Sequence, residues 1–210
     1  MIPSDARRYF DIAGLQRPHR HSVIDIVRAT AHPSPGTTDR YPYTNIHGRL
    51  AEVYALEQLR MAAQQVENAI ELFPIPDDAE TANYRFHQSS HWAPMMIYSE
   101  DMPVTDLDGL LTIDGSPWLI ESKFAELGKA GRHRRLIQRV IANPKAMNAM
   151  KPLQEYFGQP INVALYVAPD QFDPAWARQF EGCVFRGPHT LGYHRTLCHS
   201  LADEYGFLIA

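Results

Sequence analysis

With 210 residues, 45% of them hydrophobic, the chain is long enough to bury the core of one domain. A net charge of −4 argues against a protein that coats nucleic acid indiscriminately, and two cysteines are too few for a disulfide scaffold. No charged start followed by an apolar run marks a signal peptide, and no stretch reads as a membrane span, so a soluble cytoplasmic protein is expected.

Residues 1–47 read as a helical N-terminal extension, with short helices around Asp5 to Gly14 and Ser22 to Thr30 and then the Pro- and Gly-containing loop HPSPGTTDRYPY. Arg7, Arg8, Arg17, Arg20 and Arg28 on this arm are either simply solvated or extend a surface for nucleic acid or a partner protomer. Residues 48–72 carry helical periodicity: Leu50, Val53, Leu56, Leu59, Ala63, Val66 and Ile70 recur at three- and four-residue steps. Glu52 lies beside that stripe, where it can point toward a sheet; a carboxylate near the positive end of a helix equally needs no active site. Residues 84–99 are expected to hold the first core strand.

The segment TDLDGLLTI, then Asp114-Gly115, then SPWLIESKF is the most informative in the chain. A two-residue Asp-Gly loop favours a type I′ turn and thereby fixes register. If Ile113 pairs with Ser116, counting outward sets Asp108 opposite Glu121 and Asp106 opposite Lys123. Cross-strand Cβ atoms lie about 4.5–5.5 Å apart, so two facing carboxylates destabilise a sheet unless something positive lies between them, and a divalent cation would resolve the conflict. An ordinary solvated hairpin with a charged face accounts for the same letters.

From Leu127 to Gln154 the chain has no Asp or Glu but carries Lys129, Arg132, Arg134, Arg135, Arg139, Lys145 and Lys151. Arg132, Arg135 and Arg139 fall on one side of a helix whose Leu136, Ile137, Val140 and Ile141 can dock on a core, so phosphate contact is favoured over a solvated face. The apolar strand INVALYVA follows, then a short helix at DPAWARQF, a strand at CVFRG and a terminal helix. Cys183, His189, His194, Cys198 and His199 lack the two close ligand pairs of a structural zinc site, and Cys183 reads as a buried thiol on a strand. Trp92, Trp118 and Trp176 read as packing rather than as base-stacking platforms.

A helix with Glu52, a hairpin with Asp108 and Glu121-Ser122-Lys123, a basic helix and an apolar strand together resemble the PD-(D/E)xK nuclease superfamily across roughly residues 48–168. Within it, GRLAEVYAL, TDLDGLL and LIESK are most similar to archaeal-type Holliday junction resolvases and restriction-endonuclease-like proteins. Two departures stand out: no Pro precedes Asp108, and no Gln-x-x-x-Tyr motif follows at Gln138, which separates the chain from the RecB-like branch.

The resemblance implies an α/β fold, with a restriction-endonuclease-like core at 48–170 built on a central mixed β-sheet of about four or five strands flanked by helices. Residues 171–210 would complete the same domain as helix, strand and helix. It implies Asp108, Glu121 and the Ser122 backbone carbonyl as ligands of Mg²⁺ or Mn²⁺, Glu52 assisting a second ion, and Lys123 orienting or activating water. Lys129, Arg132, Arg134, Arg135 and Arg139 would contact DNA, and a twofold homodimer would present two sites to two strands. The expected activity is metal-dependent endonucleolytic hydrolysis of DNA, on branched, Holliday junction-like substrates. Alternatives are a restriction or defence nuclease on linear duplex, a non-catalytic nucleic-acid-binding module of the same fold, and an unrelated hydrolase using the carboxylates as acid and base, which Lys123 fits poorly.

Overall fold

The computed structural model describes residues 4–30, 43–89, 92–123, 144–172, 174–178 and 180–204. Helices α1 (Ser4–Leu15) and α2 (Arg20–Thr30) fall where the sequence predicts them, and α3 spans Tyr43–Ala63. From Arg49 to Leu59 every residue of α3 except Glu52 is buried. A helix covered nearly all round belongs to a core, not to a surface. Tyr9 Oη donates to the Leu59 carbonyl (2.8 Å) and Gln58 Nε2 to the Ala13 carbonyl (3.0 Å), fastening α1 along it.

The predicted continuation of this helix to Leu72 is overturned. The chain turns after Ala63, and Ile70–Leu72 forms strand β1 at the sheet edge. The cause lies far away in sequence. The Asp114 carboxylate accepts from Asn68 Nδ2 (2.6 Å) and the Ala69 N–H (2.9 Å), while the Asp114 N–H donates to the Ala69 carbonyl (2.9 Å). These tertiary bonds outweigh the local helical stripe.

Strands β5 (Gly109–Ile113), β6 (Ser116–Lys123), β7 (Asn162–Val167) and β8 (Cys183–Arg186) join β1 in a mixed five-stranded sheet of order β1-β5-β6-β7-β8. The hairpin β5–β6 is antiparallel, and β6, β7 and β8 run parallel. Asp114 (φ 49°) and Gly115 (φ 78°) are both left-handed, as a type I′ turn requires, and the predicted register runs from Ile113↔Ser116 to Gly109↔Ile120.

A second, antiparallel sheet contains β2 (Arg85–His87), β3 (Met95–Ser99) and β4 (Met102–Leu107) in that order. Residues 84–99 therefore enter this sheet and do not supply the first strand of the main one, because β1 already occupies the position beside β5. The predicted pairing of Asp106 with Lys123 is likewise corrected: a bend at Asp108 swings β4 out of the main sheet, so Asp106 pairs with Met96 and Lys123 with Val167.

Both faces of the main sheet are covered, and all five residues of β5 are buried. Leu111, Ile113, Trp118 and Ile120 pack with α1, α2, α3 and the terminal helix of the described chain. Leu110 and Leu119 pack on the other side with Phe86, Ile97 and Leu107 of the second sheet and with Ala149 and Leu153 of α4 (Pro144–Phe157). The short α5 (Pro174–Ala177), β8 and α6 (Leu191–Glu204) stand where the sequence predicts them. Among the described residues, no helix is long and apolar enough to cross a membrane.

Candidate metal centre

Next to a two-residue type I′ turn the flanking pair exchanges both backbone hydrogen bonds, and such pairs then recur at every second residue. Continuing that ladder past Gly109 would give the Ser122 N–H to the Leu107 carbonyl. The bend at Asp108 takes Leu107 away, and Asp108 Oδ2 accepts from the Ser122 N–H instead, at 2.8 Å. A side-chain carboxylate thus ends the hairpin beside Glu121. Gly109 lets α3 come close: a Cβ there would meet Leu56 Cδ2 at 2.6 Å and Ile120 Cβ at 3.3 Å. Glu52, one turn before Leu56, is carried to the same corner.

Glu121 is only 3% exposed and pairs in the backbone with Leu165. Strand alternation sets it on the face of Leu119, opposite Trp118 and Ile120, which meet α3. Burying an ionised carboxylate costs several kcal/mol unless positive charge or hydrogen bonds compensate it. Lys123 ends β6 two residues later, at the carboxyl end of a parallel strand, the general location of ligand sites in open α/β sheets.

The Glu52 side chain is 18% exposed, and its Oε2 receives Arg49 Nη1 at 2.8 Å. Arg49, itself buried, also donates from Nη2 to the Trp92 carbonyl. Burial, then the Asp108 charge, raise the Glu52 carboxyl to about 7; Arg49 opposes the rise and Asp106 adds to it. The structure therefore pairs Glu52 with Arg49 where the charges of Asp108 and, more weakly, Asp106 act on it, and sets Asp108 against the backbone next to Glu121. Arg49 has no place in the sequence-based set, although GRLAE already shows it one helical turn before Glu52. The predicted phosphate contacts Lys129, Arg132, Arg134, Arg135 and Arg139 lie outside the described residues.

The donor set suits a hard cation, since Asp108, Glu121, Glu52 and the Ser122 carbonyl offer only oxygen. Glu52, Asp108 and Glu121 do not close a three-carboxylate cage: among the described residues, the only three metal-ligating side chains with ligand atoms all within 4.8 Å of one another are Asp77, Asp78 and His87. One or two carboxylates with waters and a substrate phosphate is the arrangement Mg²⁺ prefers, and it asks for no three-carboxylate cage.

In the Asp77 loop, His87 Nδ1 lies 3.0 Å from Asp77 Oδ1 and 3.3 Å from Asp78 Oδ1, with Arg85 at 3.7 Å from Asp78. Both carboxylates there are at least half exposed. Cys183 and Cys198 are free and buried, which pushes their thiols up to about 11 and about 12. They form no metal-binding group with His189, His194 or His199 among the described residues. A cleft of about 360 Å³ at the β8 edge, lined by Arg7, Phe10, Asp11, Phe172, Arg178 and Cys183 among others, contains none of the predicted site residues. No protein-family model, curated protein or solved structure matches the chain.

Proposed function

We propose that this chain is a Mg²⁺- or Mn²⁺-dependent endonuclease of restriction-endonuclease-like fold that hydrolyses phosphodiester bonds in DNA, working as a homodimer on branched substrates. The observation that carries the reading is the hairpin end itself, where Asp108 accepts from the Ser122 N–H beside buried Glu121, with Lys123 next along β6. Asp108, Glu121 and the Ser122 carbonyl would hold the cation. When bound, the ion supplies Lewis-acid stabilisation of the phosphoryl oxygens and lowers the pKa of water. Lys123 adds a second positive charge for the attacking water or the phosphate, and the Ser122 N–H keeps Asp108 in one orientation.

Cleavage of labelled four-way junction, linear duplex, single-stranded DNA and RNA, with Mg²⁺, Mn²⁺ or EDTA, tests this. Wild type should cut DNA only with metal, and Glu121→Gln should lose about a thousandfold, the equivalent of several kcal/mol of charge stabilisation. Equal cutting by Glu121→Gln, or cutting in EDTA, removes the assignment. Binding without cleavage under every metal moves the chain to the non-catalytic module. A second reading has its own observation: Glu52, raised to about 7, is poised for general acid–base work. A rate that needs Glu52 but no metal would favour it.

A further inference from the structure

Arg49 is 6% exposed and anchored to Glu52 Oε2 at 2.8 Å and to the Trp92 carbonyl on the segment leading into β3. A guanidinium does not lose its proton in proteins, so this is a permanent positive charge, and its planar fork is held at both ends. The pair sits at i,i+3 on the one stretch of α3 that is otherwise wholly buried, so helix geometry delivers the charge to Glu52. A divalent ion using Glu52 as ligand would approach its oxygens to about 2.0–2.1 Å and place its double charge next to that guanidinium. The two cations compete for one carboxylate.

We infer that Arg49 stands in for a second divalent cation: Glu52 is a positioning carboxylate held by Arg49, and the centre takes a single Mg²⁺ or Mn²⁺ on Asp108 and Glu121. This rests on the endonuclease reading for the identity of the first site, while the role of Arg49 is decided by a difference between variants. Glu52 then does not bind metal in the wild-type protein. Its carboxylate orients the acidic corner and receives the charge of Arg49, which the Trp92 carbonyl before β3 holds in place.

The test counts bound Mn²⁺ on the full chain by electron paramagnetic resonance and titration calorimetry, with circular dichroism confirming the fold of each variant. Wild type, Glu52→Gln and Arg49→Lys should bind the same number of ions, with affinities within about threefold. Arg49→Met should bind one ion more than wild type, and adding Glu52→Gln to it should abolish the extra ion. Loss of an ion in Glu52→Gln overturns the inference without recourse to Arg49→Met, should that variant fail to fold. So does an unchanged count in a folded Arg49→Met. Absence of any ion in wild type would instead remove the metal-dependent reading, while the gain or lack of an ion in Arg49→Met would still decide the part played by Arg49.

Discussion

Glu52 is held by Arg49 in a largely buried corner where the charges of Asp108 and Asp106 act on it, and Asp77 stands beside Asp78 and His87 on an exposed loop. The groups are similar in kind and the consequences are opposite. In the corner, burial comes first and drives the Glu52 carboxyl up to about 7. In the loop, the Gln88 N–H, which donates to Asp77 Oδ1 at 2.7 Å, comes first and holds the Asp77 carboxyl below its usual range. Acids gathered in water settle among hydrogen bonds, whereas acids gathered in a core leave a demand for positive charge. That contrast marks the corner, and not the loop, as the place where buried acids call for a counter-charge, although the loop has the tighter cluster of ligand atoms.

The contrast breaks most sharply at the arginines. Arg49→Met should lower stability to urea by about 3–5 kcal/mol, because it strands carboxylates that a buried partner compensates. Arg85→Met, which removes the half-exposed partner of Asp78, should cost no more than about 1 kcal/mol. Similar losses at the two positions would mean that the corner is as well solvated as the loop.

Next in size is the dependence on pH. Glu52 binds its proton more tightly in the folded chain than in the unfolded one, where its value is near 4.5. Its contribution to stability is therefore intact below that value, declines as pH rises toward about 7, and stays lost above it, by about 3 kcal/mol at most. Asp77 works in the other direction: its contribution is present above the ordinary Asp range and disappears as the solution is acidified. Urea midpoints from pH 4 to 8 should show a decline in wild type that Glu52→Gln lacks, while Asp77→Asn should alter only the acid limb. A neutral-range decline that survives Glu52→Gln assigns it to another group.

What could be read from the sequence was whatever is fixed locally. The Asp114-Gly115 turn needs only its own two left-handed residues, so the register from Ile113↔Ser116 to Gly109↔Ile120 was legible. The end of α3 was not, because Val66 and Ile70 continue the helical spacing and the bonds that stop it come from Asp114, 45 residues beyond Ala69. The bend at Asp108 hid inside a segment, TDLDGLLTI, that reads as one continuous strand leading to the turn. Gly109 was the available signal there, since a glycine inside a strand pattern often marks a close approach, here that of Leu56. Arg49 carries no local signal of burial, because an arginine at the start of a helix usually reads as solvated, and its partner at the Trp92 carbonyl lies 43 residues away.

The smallest expected effects separate the two jobs of Asp108. Its Oδ2 replaces a ladder carbonyl for the Ser122 N–H, and its charge raises Glu52. Asp108→Asn keeps an acceptor oxygen and removes the charge, so stability should change little while the Glu52 carboxyl, followed by NMR against pH, titrates below about 7. Asp108→Ala removes both and should cost about 1–3 kcal/mol for the unsatisfied Ser122 N–H, with the same downward movement of Glu52. Should Asp108→Asn leave the Glu52 titration where it is, the Asp108 charge does not reach the helix, and burial alone would distinguish the corner from the loop.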